Sequence, residues 1–157
     1  GMQDDSIAVL ASALSSTHMK LKVLSFCNHN LSLRSATAIG SALQSNQTLE
    51  TLNLSCNNLK TDGVTAFLRS VSPSNMTLKQ LILARNNIEG QGIEDMFAAL
   101  TCFANLKTLS LKDNYITIEK KLTLKSHPSL QFLDLTGNRI DDDGASVLVR
   151  SLLMVSV

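Results

Sequence analysis

The chain has 157 residues, the length of one ordinary domain, and a chain of this size buries about two-thirds of its unfolded surface. Its 14 basic and 13 acidic residues give a formal net charge of +1, which argues against nucleic acid as a partner. Hydrophobic residues make up 44% and charged residues 17%, so we expect a globular chain. No apolar run approaches the length of a membrane span, so we expect no membrane partner.

The chain begins with a segment whose apolar residues recur at helical spacing. The spacings of three and four are those of one helical face, in the segment Ser6-Ile7-x-x-Leu10-x-x-Ala13-Leu14. Asp4 and Asp5 precede it, where the helix macrodipole favours negative charge. We predict an N-terminal half-repeat over residues 3–20 that contains a helix and no strand.

Five later segments follow one pattern, L-x-x-L-x-L-x-x-N-x-L. They are LKVLSFCNHNL (21–31), LETLNLSCNNL (49–59), LKQLILARNNI (78–88), LKTLSLKDNYI (106–116) and LQFLDLTGNRI (130–140). The first segment carries Phe26 and His29 in place of Leu and Asn, and successive starts differ by 28, 29, 28 and 24 residues. Side chains alternate along a strand, so the paired apolar residues of each segment must face inward together, against stacked neighbours. These pairs are Leu24/Phe26, Leu52/Leu54, Leu81/Leu83, Leu109/Leu111 and Leu133/Leu135.

Four of the five units continue into a second half with helical periodicity. The segments run over residues 35–43, 63–71, 92–100 and 144–152, and three of them open with Gly. Acidic residues precede three of these helices, at Asp62, Glu89 and 141–143. The run 141–143 lacks the ligand spacing of a calcium loop, because Arg139 and Val149 occupy ligand positions.

The fourth unit departs from the pattern. It is four residues shorter, and its segment TIEKKLTLKSHPS predicts a shorter helix or an irregular connection, with one helical turn at Ile118–Leu122. His127 precedes a proline and should be extended. Lys120, Lys121 and Lys125 make this segment basic. We interpret it as a solvated face, and a docking site for an acidic partner is the alternative.

With its five strand segments and Gly-led helices at a period of 28–29 residues, the chain resembles the leucine-rich repeat proteins of the ribonuclease-inhibitor type. The resemblance implies an α/β right-handed solenoid, with parallel strands on the concave face and helices on the convex face. It covers almost the whole chain, so we expect a single repeat domain over residues 2–157. It also implies an intracellular location. Three cysteines cannot all pair, which independently favours a reducing cytoplasmic environment.

A column of asparagines follows the strands, with His29 in its place in the first repeat. A buried loop leaves backbone groups unpaired, and an asparagine amide offers both a donor and an acceptor to satisfy them. We therefore predict a structural rather than a catalytic role for the ladder formed by Asn57, Asn86, Asn114 and Asn138.

The remaining outward strand positions and their flanks are the candidate binding residues. The charged members of this set carry five positive and three negative charges, net +2. Ile82 and Phe132 are apolar where a solvated strand position favours polar residues, and apolar groups beside Arg and Lys are typical of an interface hot spot. We predict a protein-binding concave face that includes Ile82, Arg85, Lys107, Lys112, Phe132 and Asp134.

The sequence predicts a binding function rather than catalysis. It contains no nucleophile–base arrangement, phosphate loop or metal-ligand spacing, so we expect no enzyme activity, small-molecule substrate, metal or cofactor. The leading hypothesis is a non-catalytic scaffold for protein–protein interaction. Two alternatives are a regulatory module of a GTPase or another enzyme, and a truncated sensor piece of a nucleotide-binding leucine-rich repeat receptor.

The chain ends lack the polar capping repeats that solenoids normally carry. The last segment, residues 152–157, is largely apolar where a cap should be polar. This favours a piece of a larger protein, with an end-to-end dimer as the competing explanation.

Overall fold

The five repeated segments pair as the strands of one parallel sheet. The computed structural model describes residues 4–16, 18–71, 75–125 and 127–153. The strands are hydrogen-bonded in chain order, so that each repeat lies beside the next one along the chain. Their bounds are β1 (Val23–Ser25), β2 (Thr51–Asn53), β3 (Gln80–Ile82), β4 (Thr108–Ser110) and β5 (Phe132–Asp134).

Helices occupy the second half of four repeats and the N-terminal half-unit. They are α1 (Asp4–Leu14), α2 (Leu33–Ala42), α3 (Lys60–Ser70), α4 (Ile93–Ala99) and α5 (Asp142–Leu153). A short 3-10 helix, Leu100–Cys102, continues α4. Parallel strands joined through helices confirm the predicted α/β solenoid. Residues 154–157, most of the apolar C-terminal run, lie outside the described residues.

The sheet register is the register of the sequence repeats. The first inward residues of the repeats lie side by side across the sheet, as Leu24, Leu52, Leu81, Leu109 and Leu133. Because side chains alternate along a strand, this alignment places all predicted inward pairs on one side. The inward side chains of successive repeats therefore form one continuous core between the sheet and the helices.

The core is complete in the middle of the array and thins at its C-terminal end. The inward leucines of β2, β3 and β4 are fully buried, at Leu52, Leu54, Leu81, Leu83, Leu109 and Leu111. Leu133 of β5 and the following Leu135 are only half-buried. Each inward side chain is covered by its neighbours on both sides, and in the described residues no strand lies beyond β5.

Local capping explains where several helices begin. The Ser32 hydroxyl accepts a hydrogen bond from the Ser35 N–H, and the Asp141 carboxylate accepts one from the Gly144 N–H at 2.8 Å. Glu89 precedes α4, as the sequence predicted, but lies outside its first turn. It forms an isolated bridge beside Tyr115 instead, and the acidic residues of that first turn lie further along the chain.

Neighbouring helices pack closely where a glycine permits it. A β-carbon added at Gly40 of α2 would lie 1.8 Å from the Ser70 Oγ and 2.5 Å from the Phe67 carbonyl oxygen of α3. Only a residue without a side chain allows the two helix backbones to approach this closely. Gly92 serves a different purpose, because its φ of 79° places the N-cap of α4 in the left-handed region.

The fourth repeat has an irregular connection in place of a helix. The expected helical turn at Ile118–Leu122 is instead a single hydrogen-bonded turn, in which the Leu122 N–H donates to the Glu119 carbonyl at 2.9 Å. Ile118 and Leu124 are buried and anchor the segment to the core. His127 is also buried, and its Nε2 lies 3.2 Å from the Leu100 carbonyl oxygen. Burial lowers the pKa of His127 below its usual value.

Candidate functional site

The outward side of the sheet is a regular surface that the repeats build from five aligned strands. We call it the strand face, and its positions are Val23, Ser25, Thr51, Asn53, Gln80, Ile82, Thr108, Ser110, Phe132 and Asp134. All of these residues are half-buried or exposed, whereas the inward positions of the three central strands are buried. The strand alternation that fills the core thus leaves this second set of side chains accessible.

The two apolar residues predicted to form a hot spot lie on the strand face but not in one cluster. Phe132 is 59% exposed and pairs with Thr108 across the β4–β5 ladder. Ile82 is half-buried and lies between Asn53 and Ser110. They are separated by β4, which amounts to two strand spacings or about 10 Å. An occupant that contacts both must therefore span several strands.

Ion pairs neutralise part of the positive charge that the sequence predicted for this surface. At the N-terminal ends of the strands, the Glu50 carboxylate accepts from Lys22 at 2.8 Å and from Lys79 at 2.7 Å. These two lysines hold the pKa of Glu50 down to about 2. Beyond the C-terminal ends, Arg85 pairs with Asp113 at 3.1 Å. Arg85 is therefore half of an exposed ion pair and not a free cation.

The other predicted charged residues divide between the two ends of the strands. Lys107 precedes β4, and its carbonyl oxygen accepts a hydrogen bond from the Phe132 N–H at 3.0 Å, so it lies beside the exposed phenylalanine. Lys112 follows β4 and Asp134 is the last residue of β5, so both lie at the C-terminal ends of the strands, away from Lys107. A hydrogen bond from Thr136 is the main cause that lowers the pKa of Asp134, and Lys112 adds a smaller electrostatic contribution. The structure thus brings Lys107 to Phe132 and separates both from Lys112.

The asparagine column lies beneath the loops that follow the strands. The Asn57 Oδ1 accepts from the backbone N–H groups of His29 at 2.9 Å and Leu31 at 3.2 Å. Its Nδ2 donates to the carbonyl oxygens of Phe26 and Leu54. Asn86 and Asn114 repeat this arrangement and are also buried. Backbone groups thus occupy the donors and acceptors of these three amides.

Asn138 and His29 mark the two ends of the column. Asn138 makes the same type of contacts, with its Oδ1 accepting from the Ile116 N–H at 3.0 Å, but it is half-buried. His29, which replaces the asparagine in the first repeat, points its Nδ1 toward the Cys27 carbonyl oxygen at 2.8 Å. The His29 ring thus makes local contacts, with the Cys27 carbonyl oxygen and edge-to-face with the Phe26 ring at 6.1 Å, whereas the asparagines bridge two repeats.

Sequence reasoning missed a second exposed surface, on the loops that follow the asparagine column. The Arg139 guanidinium lies 4.7 Å from the centre of the Tyr115 ring, in a cation–π contact. The pair borders an open cavity of about 440 Å³ that also touches Glu89. Each residue directly follows a ladder asparagine, and the equivalent positions are Asn58 and Asn87. The change from asparagine to Tyr and Arg at this position was the signal available in the sequence.

The described residues contain no arrangement for metal binding. No three His, Cys, Asp or Glu side chains converge in that part of the chain. All three cysteines are free, and burial raises the pKa of the Cys102 thiol to about 12, which keeps it protonated and unreactive. Within the described ranges, no helix has the length and apolar character needed to cross a bilayer.

Comparison with known proteins identifies three of the repeats as leucine-rich repeats. The family model for Leucine Rich repeat matches residues 45–68, 74–97 and 126–149. Each matched range joins one predicted strand segment to its following helix, in the second, third and fifth repeats. The mouse protein "NACHT, LRR and PYD domains-containing protein 14" is 29% identical over 94% of this chain. The chain spans only 18% of that protein's length.

Two solved structures share the fold at low sequence identity. The structure titled "Leiomodin-1 Actin-Binding Site 2 (ABS2)" matches with a TM-score of 0.69 and 17% identity, covering 98% of this chain and 89% of that one. The C-terminal domain of tropomodulin from Caenorhabditis elegans matches with a TM-score of 0.61 and 10% identity, covering 97% of this chain and 92% of that one.

Proposed function

Because the chain is a leucine-rich repeat protein, we propose that it is a non-catalytic scaffold that binds a partner protein through the strand face. The observation that carries this proposal is that the two sides of each strand have different roles. The inward leucines pack in the core and the asparagine amides bond backbone groups, whereas the outward side chains of five aligned strands stay accessible. A surface of this kind recognises another surface better than it encloses a small molecule.

Phe132 and Lys107 form the strongest anchor on the proposed surface. The Phe132 ring is 59% exposed and the Lys107 backbone lies beside it; in hot spots, aromatic and arginine side chains contribute most of the binding energy. Ile82 and the Arg85–Asp113 pair provide a second contact region two strands away. Exposed ion pairs contribute little to folding, so Arg85 can exchange its partner on binding at small cost.

The proposal includes a location and excludes a cofactor. Three free cysteines, one of them exposed, suit a reducing compartment, which supports the cytoplasm. The subclass of the ribonuclease-inhibitor type is supported by the period of 28–29 residues in most repeats. We propose no nucleic-acid partner, because the net charge is only +1, and no membrane partner, because no apolar run approaches the length of a membrane span.

The test compares two triple variants as baits for affinity capture and mass spectrometry from cell lysate. The strand-face variant carries Ile82→Ala, Arg85→Ala and Phe132→Ala. The control variant on the helix side carries Leu33→Ala, Arg69→Ala and Val149→Ala. It removes two exposed apolar side chains, and the arginine that it removes is paired with Asp95 at 3.1 Å, as Arg85 is paired with Asp113.

We expect a partner that the wild type and the helix-side control retain and that the strand-face variant loses. Circular dichroism must show that both variants fold. A partner lost only from the helix-side control would contradict the strand face as the binding surface. A captured GTPase whose hydrolysis or exchange rate responds to the chain would favour the regulatory alternative.

Actin is the first purified protein to test directly. The leiomodin-1 structure with the same fold carries an actin-binding site by its title, and at 17% identity this likeness establishes the fold alone. Sedimentation with filamentous actin and gel filtration with monomeric actin would measure binding for the wild type and the strand-face variant. Binding that the variant loses would identify actin as the partner. The absence of binding at tens of micromolar would exclude actin as the partner.

A second candidate function is the recognition module of a larger receptor. The match to a protein with NACHT and PYD domains, of which this chain spans 18%, favours it. An antibody raised against the chain should then detect an endogenous protein much larger than 17.0 kDa, absent from a knockout line. An endogenous band near 17.0 kDa would contradict this candidate.

The apolar ends also support a test of self-association. Leu21 at the β1 end is 37% exposed, and Leu133 and Leu135 at the β5 end are half-buried. Multi-angle light scattering over a hundredfold range of concentration would detect an end-to-end dimer. A constant monomer mass would contradict that dimer.

A further inference from the structure

The helical layer has one empty position, between α4 and α5. Helix α1 packs against α2, α2 against α3, and α3 against α4, so each repeat contributes one helix beside the next. In the described residues α4 and α5 do not contact each other, and the connection between β4 and β5 contains no helix. A position that a helix fills in the other repeats is therefore open on this side of the molecule.

The irregular segment lies across this gap and forms its floor. The Thr123 N–H donates to the Glu94 carboxylate of α4 at 2.7 Å, and Lys120 pairs with Asp143 of α5 at 3.1 Å. Leu124 points into the core and is 4% exposed. The segment is thus fixed to both flanking helices. Apart from the single turn that ends at Leu122 it has no regular structure, so it fills less of this position than a helix would.

Above this floor lies a groove with an apolar base. Its volume is about 480 Å³, and its described lining consists of Leu122, Thr123, Leu124, Lys125, Val147, Arg150 and Ser151. The three α5 residues in this lining are spaced by three and four, so they share one helical face that has no helical neighbour. Leu122 also borders a smaller cavity next to α4, which extends the groove toward that helix.

The rim of the groove is cationic. Lys125 and Arg150 are exposed, and neither has an ion-pair partner among the described residues. The other lysines of the segment are paired, Lys120 with Asp143 and Lys121 with Glu119. No acidic residue belongs to the described lining of the 480 Å³ groove. Glu94 and Asp95 line the smaller cavity beside it, where Glu94 accepts from the Thr123 N–H and Asp95 is paired with Arg69. An occupant with an apolar stripe and a negatively charged flank would match both features.

We propose that this groove, which we call the α4–α5 groove, binds an amphipathic helix with acidic flanking residues supplied by a partner protein. The helix completes the helical layer at the position left open by the fourth repeat. Its apolar stripe covers half-buried Leu122, beneath which Leu124 and Val147 form the buried base, and its carboxylates pair with Lys125 and Arg150. Two helical turns rise about 11 Å, so a short segment suffices. This site lies on the opposite side of the molecule from the strand face.

The experiment selects from a displayed library of 18-residue helices with a fixed leucine stripe and randomised flanks. Two groove variants serve as counter-targets. Lys125→Glu with Arg150→Glu reverses the rim charge, and Thr123→Trp places a large ring in the groove from an exposed position. The control, Lys107→Glu with Lys112→Glu, reverses two charges on the strand side. Binding of the selected peptides is measured by fluorescence anisotropy.

We expect enriched helices with acidic flanks whose affinity falls at least about tenfold with the charge-reversed groove and is lost with Thr123→Trp. The strand-side control should bind them as the wild type does. Hydrogen exchange should show new protection at residues 118–125 and 147–151.

Three results would overturn the proposal. One is a library with no helix that responds to the groove variants, and a second is enrichment of basic flanks. The third is evidence for a different occupant. Either the groove binds dodecanoate and no helix, or a dimer of the chain forms that the Thr123→Trp variant no longer forms. None of these results bears on the strand face, which is tested by its own variant.

Discussion

Replacing Asn86 with alanine should destabilise the chain far more than the same change at Asn138. The Asn86 Oδ1 accepts from the backbone N–H groups of Asn57 and Leu59, each at 3.3 Å, and both bonds are buried. Its Nδ2 donates to the carbonyl oxygens of Leu54 and Ala84. Both carbonyls keep another donor in the variant, because Asn57 Nδ2 still reaches Leu54 and the Cys56 N–H still reaches Ala84.

The variant therefore orphans two buried N–H donors and no acceptor. An unpaired buried donor costs about 1–3 kcal/mol, so we expect a loss of about 4 kcal/mol in the free energy of unfolding. This is a large share of the roughly 5–15 kcal/mol that stabilises an ordinary domain. Asn138 is half-buried, so water can replace its bonds, and we expect a loss of about 1 kcal/mol there.

Urea unfolding followed by circular dichroism at 222 nm would measure both variants against the wild type. Asn87→Ala serves as a control outside the column, with an expected loss of about 1 kcal/mol, because Asn87 has a left-handed φ of 56° and makes one exposed side-chain bond to Asn58. Equal losses at Asn86 and Asn138, or a loss below about 1 kcal/mol at Asn86, would refute the assignment of the column as the structure that satisfies the buried loops.

Three further predictions follow from the packing. Leu54→Asp places a charge at a fully buried position of the shared core and should abolish cooperative thermal unfolding; a retained cooperative transition would contradict the strand register. Gly40→Ala should destabilise by about 1–3 kcal/mol through the clash with α3, whereas Gly63→Ala, whose new β-carbon meets only the Leu59 side chain at 3.3 Å, should stay within about 1 kcal/mol of the wild type in urea unfolding. His127 has a lowered folded pKa, so its contribution to stability is present above its unfolded pKa near 6.5 and is lost as pH falls below that value. His127→Gln should weaken this acid dependence between pH 7 and 5, and an unchanged pH profile would show that the histidine is not buried in its neutral form.

The strand side of the molecule was readable from the sequence because it depends on two local regularities. A two-residue alternation decides which side chains face inward, and a period near 28 residues decides which strands lie side by side. The sequence alone therefore predicts that Leu81 lies beside Leu109 across the sheet, as the structure shows. The same reasoning identified the asparagine column, since one buried loop per repeat needs one group that both donates and accepts.

The candidate site was predictable as a list of residues but not as a geometry. Whether Arg85 is a free cation depends on Asp113, which is 28 residues away in sequence and adjacent only across the sheet. The separation of Ile82 from Phe132 likewise follows from strand order. The Tyr115–Arg139 contact was missed because the residue after the asparagine carries no burial signal of its own.

The sequence by itself determined the repeat, the inward and outward faces and the missing helix of the fourth unit, because each of these is set by residues within one turn or one strand. The tertiary structure decided which charges are paired, how exposed each end of the core is, and that the missing helix leaves an α4–α5 groove with a cationic rim. These properties arise between repeats. Side chains about 28 residues apart become neighbours only when the strands stack, so their distances and burial are set by the assembled array.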